Sequence, residues 1–376
     1  MNIILIVRNL NTFGGNQKQM LRIGEQLSLS GNNVKILTNK IASERLLGVD
    51  KKLEILVTNF DYQSLNNDSD KIRGLILSAD WILFVDNDLI YLKKIFPNKK
   101  FCWICNDAPH SHSPFIHSNN ILFAIRNFIT GNIYRLKKHS EIKSLDKIIV
   151  LDTKMEKAVY RNYKKYSAVI RSGIDKIEFN LNTGVFPELK DKFNIEKKKY
   201  ILAIGIAAPY RNFEIFAKIA ESIPKDLKIL IVAPNHYNNH YSKKLIQIFS
   251  NKKNVIHYYD FISETEKYSL LKNALVFVFP NRDQTWGLAP LEALSVKTPI
   301  IVSDECGITE VLTDGNDCLI FNPRNSNELV SKIKIIYDDA KFGEYLAEKG
   351  LNLVNNKLTW SNYSNEIIKY LNSGIK

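Results

Sequence analysis

Short apolar runs alternate with longer mixed segments along the whole chain. The runs at 3–7, 34–37, 53–57, 81–85, 101–104, 147–151 and 168–170 are rich in aliphatic and aromatic residues, and helical spacing separates most of them. Apolar runs without polar alternation read as strands buried on both faces, so the pattern predicts a parallel α/β sheet. A polar stretch at 176–198, with Pro187 and many charges, has no strong period and reads as a linker. The alternation restarts at 200–204, 228–232, 254–257, 275–279, 299–302 and 318–321. Two doubly wound domains follow, and such sheets bind ligands at the carboxyl ends of their strands. Near the end, Tyr363, Ile367, Ile368 and Leu371 give the segment 360–371 one apolar face.

Length supports the same division, because 376 residues exceed what one core accommodates. No apolar run approaches the ~20 residues needed to cross a bilayer. The opening Met1-Asn2-Ile3-Ile4-Leu5-Ile6-Val7 is too short for a secretory signal and reads as the first strand. The cysteines at 102, 105, 306 and 318 form no disulfide framework, which points to a reducing, cytoplasmic compartment.

A net charge of +13 calls for an anionic partner: a nucleotide, nucleic acid or an anionic membrane. No nucleic-acid motif accompanies the charge, so that partner is set aside. Cations crowd the region 88–147, where the bulky apolar segment 121–129 leads to the basic Tyr134-Arg135-Leu136-Lys137-Lys138. This is the composition of a helix lying on the inner face of the cell membrane. A core helix with an ordinary basic end has it too.

The densest chemistry lies between Asn281 and Leu312. There a turn-rich loop holding Gln284 and Trp286-Gly287 runs into a helix that begins near Leu288 and carries Glu292. Loop amides and a helix N-terminus then face one space, an arrangement suited to an anion. A buried strand led by Pro299 follows, and Gly307 to Glu310 opens another short helix. Upstream, Gly205-Ile206-Ala207-Ala208-Pro209-Tyr210-Arg211-Asn212 follows a strand and offers the Arg211 guanidinium, either to a phosphate or as the cap of a turn. Gly14-Gly15, between the first strand and a helix, allows close approach to a ligand or simply makes the turn; no G-x-G-x-x-G is present.

Other groupings carry less. Asp86-Asn87-Asp88 has an acidic metal-binding look but reads as a helix cap. His110, His112 and His117 lack a zinc spacing, and Cys102-x-x-Cys105 sits inside a strand and reads as core.

The motif at 281–312 resembles the donor-sugar site of retaining glycosyltransferases of family 4, which have the GT-B fold. The corresponding positions are Gln284, Trp286-Gly287, Glu292, Pro299 and Cys306-Gly307-Ile308-Thr309-Glu310, with Gly14-Gly15 and Arg211 matching earlier motifs. Four positions depart from the family pattern: Gln284 stands for a Glu, Cys306 for a Gly, Ile206 for an Arg and Arg211 for a Lys.

The resemblance implies two Rossmann-like domains facing across a cleft. These are an acceptor domain at 1–180, a nucleotide-sugar domain at 181–356 and a helix at 357–376 returning to the first. It assigns donor binding to Gly14, Gly15, Arg211, Gln284, Trp286, Gly287, Leu288, Glu292 and Glu310. Acceptor binding goes to Asn106, Asp107 and His110, and catalysis to Arg211, Gln284 and His110. Glu292 would accept the ribose hydroxyls, or be a surface residue paired with Lys297 or another cation. Glu310 would touch the sugar site, or only interact with the local helix dipole.

An amide is neither nucleophile nor base at neutral pH. With Gln284 in the motif, a covalent glycosyl-enzyme on that residue is excluded and front-face displacement is left. The implied activity is transfer of a sugar, without metal or other cofactor, from a nucleotide diphosphate to a hydroxyl of a glycan or lipid-linked glycan. A non-catalytic partner of a transferase, suggested by Gln284 and Ile206, and a sugar-nucleotide epimerase of the same fold are the alternatives.

Overall fold

The computed structural model describes residues 1–10, 14–41, 53–58, 69–106, 121–174, 185–234 and 240–374. The chain divides into two compact units. The first comprises Met1–Ser111, Thr130–Ser172 and Thr359–Lys376; the second comprises His112–Ile129 and Gly173–Leu358.

The first unit is built on seven parallel strands: β1 Asn2–Ile6, β2 Asn33–Thr38, β3 Glu54–Val57, β4 Trp81–Phe84, β5 Phe101–Cys105, β6 Lys147–Val150 and β7 Ala168–Val169. Their order is β3-β2-β1-β4-β5-β6-β7. The chain runs outward one way from β1 and then the other way from β4. Leu5 pairs with Leu83 at this switch point, where the carboxyl ends open a crevice. Every residue of β4, β5 and β6 is buried, which is why these segments are apolar without alternation.

The helices of this unit are α1 Gly15–Leu29, α2 Ser69–Ser78, α3 Leu92–Ile95, α4 Ile121–Ser144, whose first turns count with the second unit, and α5 Thr153–Tyr163. Cys102 and Cys105 are buried thiols in β5, as core packing requires. Asp86 heads the 3-10 turn Asn87–Tyr91, but its carboxylate makes no bond to that turn. It accepts the Arg8 backbone N–H at 2.9 Å, while Asp88 pairs with the Arg8 guanidinium at 2.6 Å. The two aspartates thus fasten the end of β4 to the end of β1. Burial raises Asp86 above the ordinary carboxylate range.

The second unit has six parallel strands: β8 Tyr200–Ile204, β9 Lys228–Val232, β10 Val255–Tyr258, β11 Val276–Phe279, β12 Ile300–Ser303 and β13 Leu319–Phe321. They lie in the order β10-β9-β8-β11-β12-β13, which places the switch point between β8 and β11. Its helices are α6 Phe186–Phe193, α7 Ile215–Ile219, α8 His240–Phe249, α9 Glu264–Asn273, α10 Leu288–Ser295, α11 Ser326–Asp338 and α12 Ala340–Asn356. Helix α6 occupies what the sequence suggests is linker. Only Leu189 and Phe193, one turn apart among charges, carry its burial, too few to make a visible period.

Helix α12 lies directly on α10. A Cβ at Gly350 would collide with Leu294 and stand 3.1 Å from the Asp317 carbonyl oxygen, so the close approach requires glycine.

The last helix, α13 Trp360–Asn372, packs on α1 of the first unit. It buries Trp360, Tyr363, Ile367 and Leu371. Lys147, buried at the start of β6, donates to the Tyr370 and Ser373 carbonyls, placing a cation on the helix C-terminus.

Candidate donor site at the β8 and β11 switch point

Three loops leave the carboxyl ends of the second sheet, and Asn212 ties them together. After β8 the chain makes the 3-10 turn Pro209–Arg211 and reaches Asn212 in the left-handed region at φ 54°. The buried Asn212 amide donates to the Pro280 carbonyl at 3.2 Å, after β11, and to the Pro323 carbonyl at 3.0 Å, after β13. The Arg282 backbone N–H donates to the Tyr210 carbonyl at 2.7 Å, a second link between the β8 and β11 loops.

The Arg211 guanidinium lies over the rings of Tyr210 and Phe279, 5.0 and 5.8 Å from their centroids. It also lies on Gly205, where an added Cβ would come within 3.1 Å of Nε. Two rings and a bare backbone therefore hold the cation at the end of β8. Arg211 Nε is buried and has no hydrogen-bond partner among the described residues. Ile206, at the position where the family pattern has Arg, is exposed.

The β11 loop is held from both sides. Gly307 donates its N–H to the Gln284 carbonyl at 3.1 Å and to that of Thr285 at 2.5 Å. Asp283, at φ 52°, donates its N–H to a Glu305 carboxylate oxygen at 3.1 Å, and Glu305 pairs with Arg324. The Gln284 side-chain oxygen faces the Asn281 amide at 3.4 Å. Trp286 is buried, and its indole N–H has no hydrogen-bond partner among the described residues. A Cβ at Gly287 would come within 2.9 Å of the Phe279 ring, so that ring touches both the loop and the Arg211 guanidinium.

Helix α10 starts at Leu288, so the amides of the first turn open onto the same loop. One turn on, Glu292 is 5% exposed and accepts the Lys267 ammonium of α9 at 2.8 Å. Lys267 also bonds both oxygens of Glu264, each at 2.9 Å. The surface pairing of Glu292 with Lys297 does not occur, since Lys297 pairs with Glu348. Glu310 ends the 3-10 turn Gly307–Glu310 and is exposed. Cys306 Sγ sits 3.6 Å from the Asn281 carbonyl oxygen, buried where the family pattern has glycine.

In the first unit, Gly14 caps α1 with extended backbone, φ −79° and ψ 153°, so no left-handed turn requires this glycine. Asn106, at the end of β5, donates to Asn16 at 2.7 Å and to Gln19 at 2.6 Å in the first turn of α1. Gln19 in turn donates to the Tyr363 hydroxyl at 2.9 Å, and burial raises the Tyr363 phenol well above its ordinary range. Asn106 and the Gly14-Gly15 turn are thus neighbours at the carboxyl end of the first sheet. Asp107 and His110 lie outside the described residues, as do His112 and His117. Among the described residues, no three His, Cys, Asp or Glu side chains cluster as a metal site.

Residues 185–353 match the family model of glycosyl transferases group 1. This stretch of the second unit is a group 1 glycosyltransferase domain. A relative, the O-antigen chain mannosyltransferase RfbU of Salmonella typhimurium, is 26% identical over 262 residues, 67% of this chain and 70% of that one. A probable sucrose-phosphate synthase of Thermosipho melanesiensis is 24% identical over 405 aligned residues, 96% of this chain and 90% of that one. Among solved structures, HepE of Anabaena in complex with UDP and glucose superposes with a TM-score of 0.78 at 13% identity, covering 100% of both chains. The fold of the chain is GT-B, with two Rossmann-like domains.

Lys267, Phe279 and Asn212 are the parts of this site that sequence motifs miss. Asn212 closes the motif that contains Arg211, so its place was visible and its role was not. Lys267 reaches Glu292 from another helix, 25 residues away, with no local signal.

Proposed function

We propose that this chain is a retaining glycosyltransferase that moves a sugar from a nucleotide diphosphate to a hydroxyl of a cell-surface glycan or lipid-linked glycan. The observation that carries the reading is the convergence of Arg211, the 286–288 amides and the buried Glu292 at the carboxyl end of the β8 and β11 switch point. The diphosphate lies on Arg211 and the helix N-terminus, and the ribose hydroxyls donate to Glu292. Gln284 holds sugar hydroxyls. The acceptor oxygen bonds to the anomeric carbon from the face the diphosphate leaves. The anomeric C–O bond breaks onto phosphate, and the acceptor proton passes to that phosphate oxygen. Arg211 stabilises the growing charge. RfbU, by its name an O-antigen chain enzyme, supports a glycan acceptor.

Release of free nucleotide from UDP-, GDP-, ADP-, CMP- and dTDP-sugars is the test, with lipid-linked glycan extract or a soluble sugar phosphate as acceptor. One nucleotide is expected to be released, faster with extract. Faster release with sugar phosphate moves the acceptor to a soluble sugar. No release from any donor assigns the chain to a non-catalytic partner role.

Gln284→Glu tests whether an amide is the working residue at this position. Activity is expected to fall or stay level, and NMR of the product should show the donor's anomeric configuration in both proteins. A large rise in rate would mark Gln284 as a damaged catalytic position.

A further inference from the structure

Helix α4 exposes an unusual amount of apolar surface. Ile121, Leu122, Phe123, Ile125, Phe128, Ile129, Ile133 and Leu136 are all exposed, with Ile121 at 68%, Leu122 at 73% and Leu136 at 71%. Isolated exposed apolar residues are ordinary, but a contiguous stripe of them marks a surface that is covered in use.

The stripe is ordered by the helix. Ile121, Ile125, Ile129 and Ile133 follow each other at i,i+4, and Leu122, Ile129 and Leu136 at i,i+7. With Phe128 they fill an arc of roughly 140° at 100° per residue. The opposite side carries Ala124, Gly131 and, near the end, Ile142, all buried, so the helix is seated on protein by one side. Arg126 and Lys137 border the arc on one edge and Arg135 on the other.

Charge identifies the occupant. The only acid of the helix is Glu141, and it is neutralised by Lys138 at 2.6 Å and Lys94 at 3.0 Å. Burial alone would raise Glu141, but hydrogen bonds from Lys138 and Lys94 hold it below the ordinary carboxylate range. Arg126 lies over the Phe123 ring at 5.2 Å, a cation beside an aromatic side chain at the level of the stripe. Apolar residues enter the acyl boundary of a bilayer, while flanking Arg and Lys meet anionic headgroups. No helix among the described residues is long and apolar enough to span a membrane.

We propose that the exposed face of α4 docks this protein onto a bilayer containing anionic lipid. The proposal stands apart from sugar transfer and is tested without donor. Full-length protein is sedimented with phosphatidylglycerol-containing vesicles and with pure phosphatidylcholine vesicles. The same is done for Leu122→Ser/Ile129→Ser/Leu136→Ser and for Arg126→Glu/Lys137→Glu. Circular dichroism and melting temperature report folding; these exposed side chains should leave both unchanged.

The native protein is expected to bind the anionic vesicles at about 0.1 M salt and to be released near 1 M. Each variant should bind at least about tenfold more weakly. Phe128→Trp should show a blue-shifted emission component on anionic vesicles only. Absence of native binding at low salt, or triple-variant binding equal to native, overturns the proposal. A native dimer that the triple variant dissociates, without vesicle binding, would assign the stripe to a second copy of the chain.

Discussion

Replacing Arg211 with alanine is expected to lower kcat by about 10²–10³-fold, the scale observed when one preorganised charge-stabilising donor is removed from a transition state. The pattern this chain resembles has a cation at both the 206 and the 211 positions, and here one is a neutral, exposed isoleucine. On the proposed reading, Arg211 carries a larger share of the charge that grows as the glycosidic bond breaks. Its placement is fixed before substrate arrives, by the rings of Tyr210 and Phe279 and by the bare backbone of Gly205.

A preorganised cation acts on the difference between ground and transition state, so kcat should fall more than donor affinity does. Arg211→Lys keeps the charge and loses the planar fork, and should recover only part of the rate. Ile206→Arg in the Arg211→Ala background is the informative companion, since it restores a cation from the other side of the loop. A rise in kcat there ties both positions to the leaving group. Steady-state rates unchanged in Arg211→Ala would remove it from the reaction.

The strands were legible because parallel strands buried on both faces must be apolar throughout, and no other element gives that run in so few residues. The ends of β8 and β11 were legible for a related reason: glycine and proline mark where chain direction changes. Helix α6 was hidden because two buried residues suffice for a two-turn helix lying on a domain. The Asn212 staple and the Lys267 to Glu292 pair were hidden for another reason. Each joins segments that the fold brings together and sequence keeps apart, and neither leaves a periodic trace. The apolar stripe of α4 was visible as composition, yet a core helix and a surface helix share that composition. Only exposure separates them.

Replacing Glu292 with alanine is expected to raise the donor KM by about 10²-fold with a smaller change in kcat. Two ribose hydroxyls donating to a carboxylate are charge-assisted bonds, each worth about 1.5–3 kcal/mol, and water filling the space returns part of the loss. These contacts are made equally before and during transfer, so they act on binding. Burial of Glu292 raises a competing account, in which the residue merely holds α9 to α10 through Lys267. The two accounts differ in what Lys267→Met does. If Glu292 is structural, removing either partner should lower the melting temperature and leave KM per folded enzyme unchanged. If Glu292 meets ribose, Lys267→Met leaves a carboxylate still able to accept those bonds, and KM should move far less than in Glu292→Ala. Stability should be protected unequally as well. Glu292→Ala leaves Lys267 paired with Glu264, whereas Lys267→Met leaves a 5% exposed carboxylate without its cation, the costlier defect. A nucleotide diphosphate without sugar should reproduce the Glu292→Ala affinity loss in direct binding, because the contact lies on the ribose.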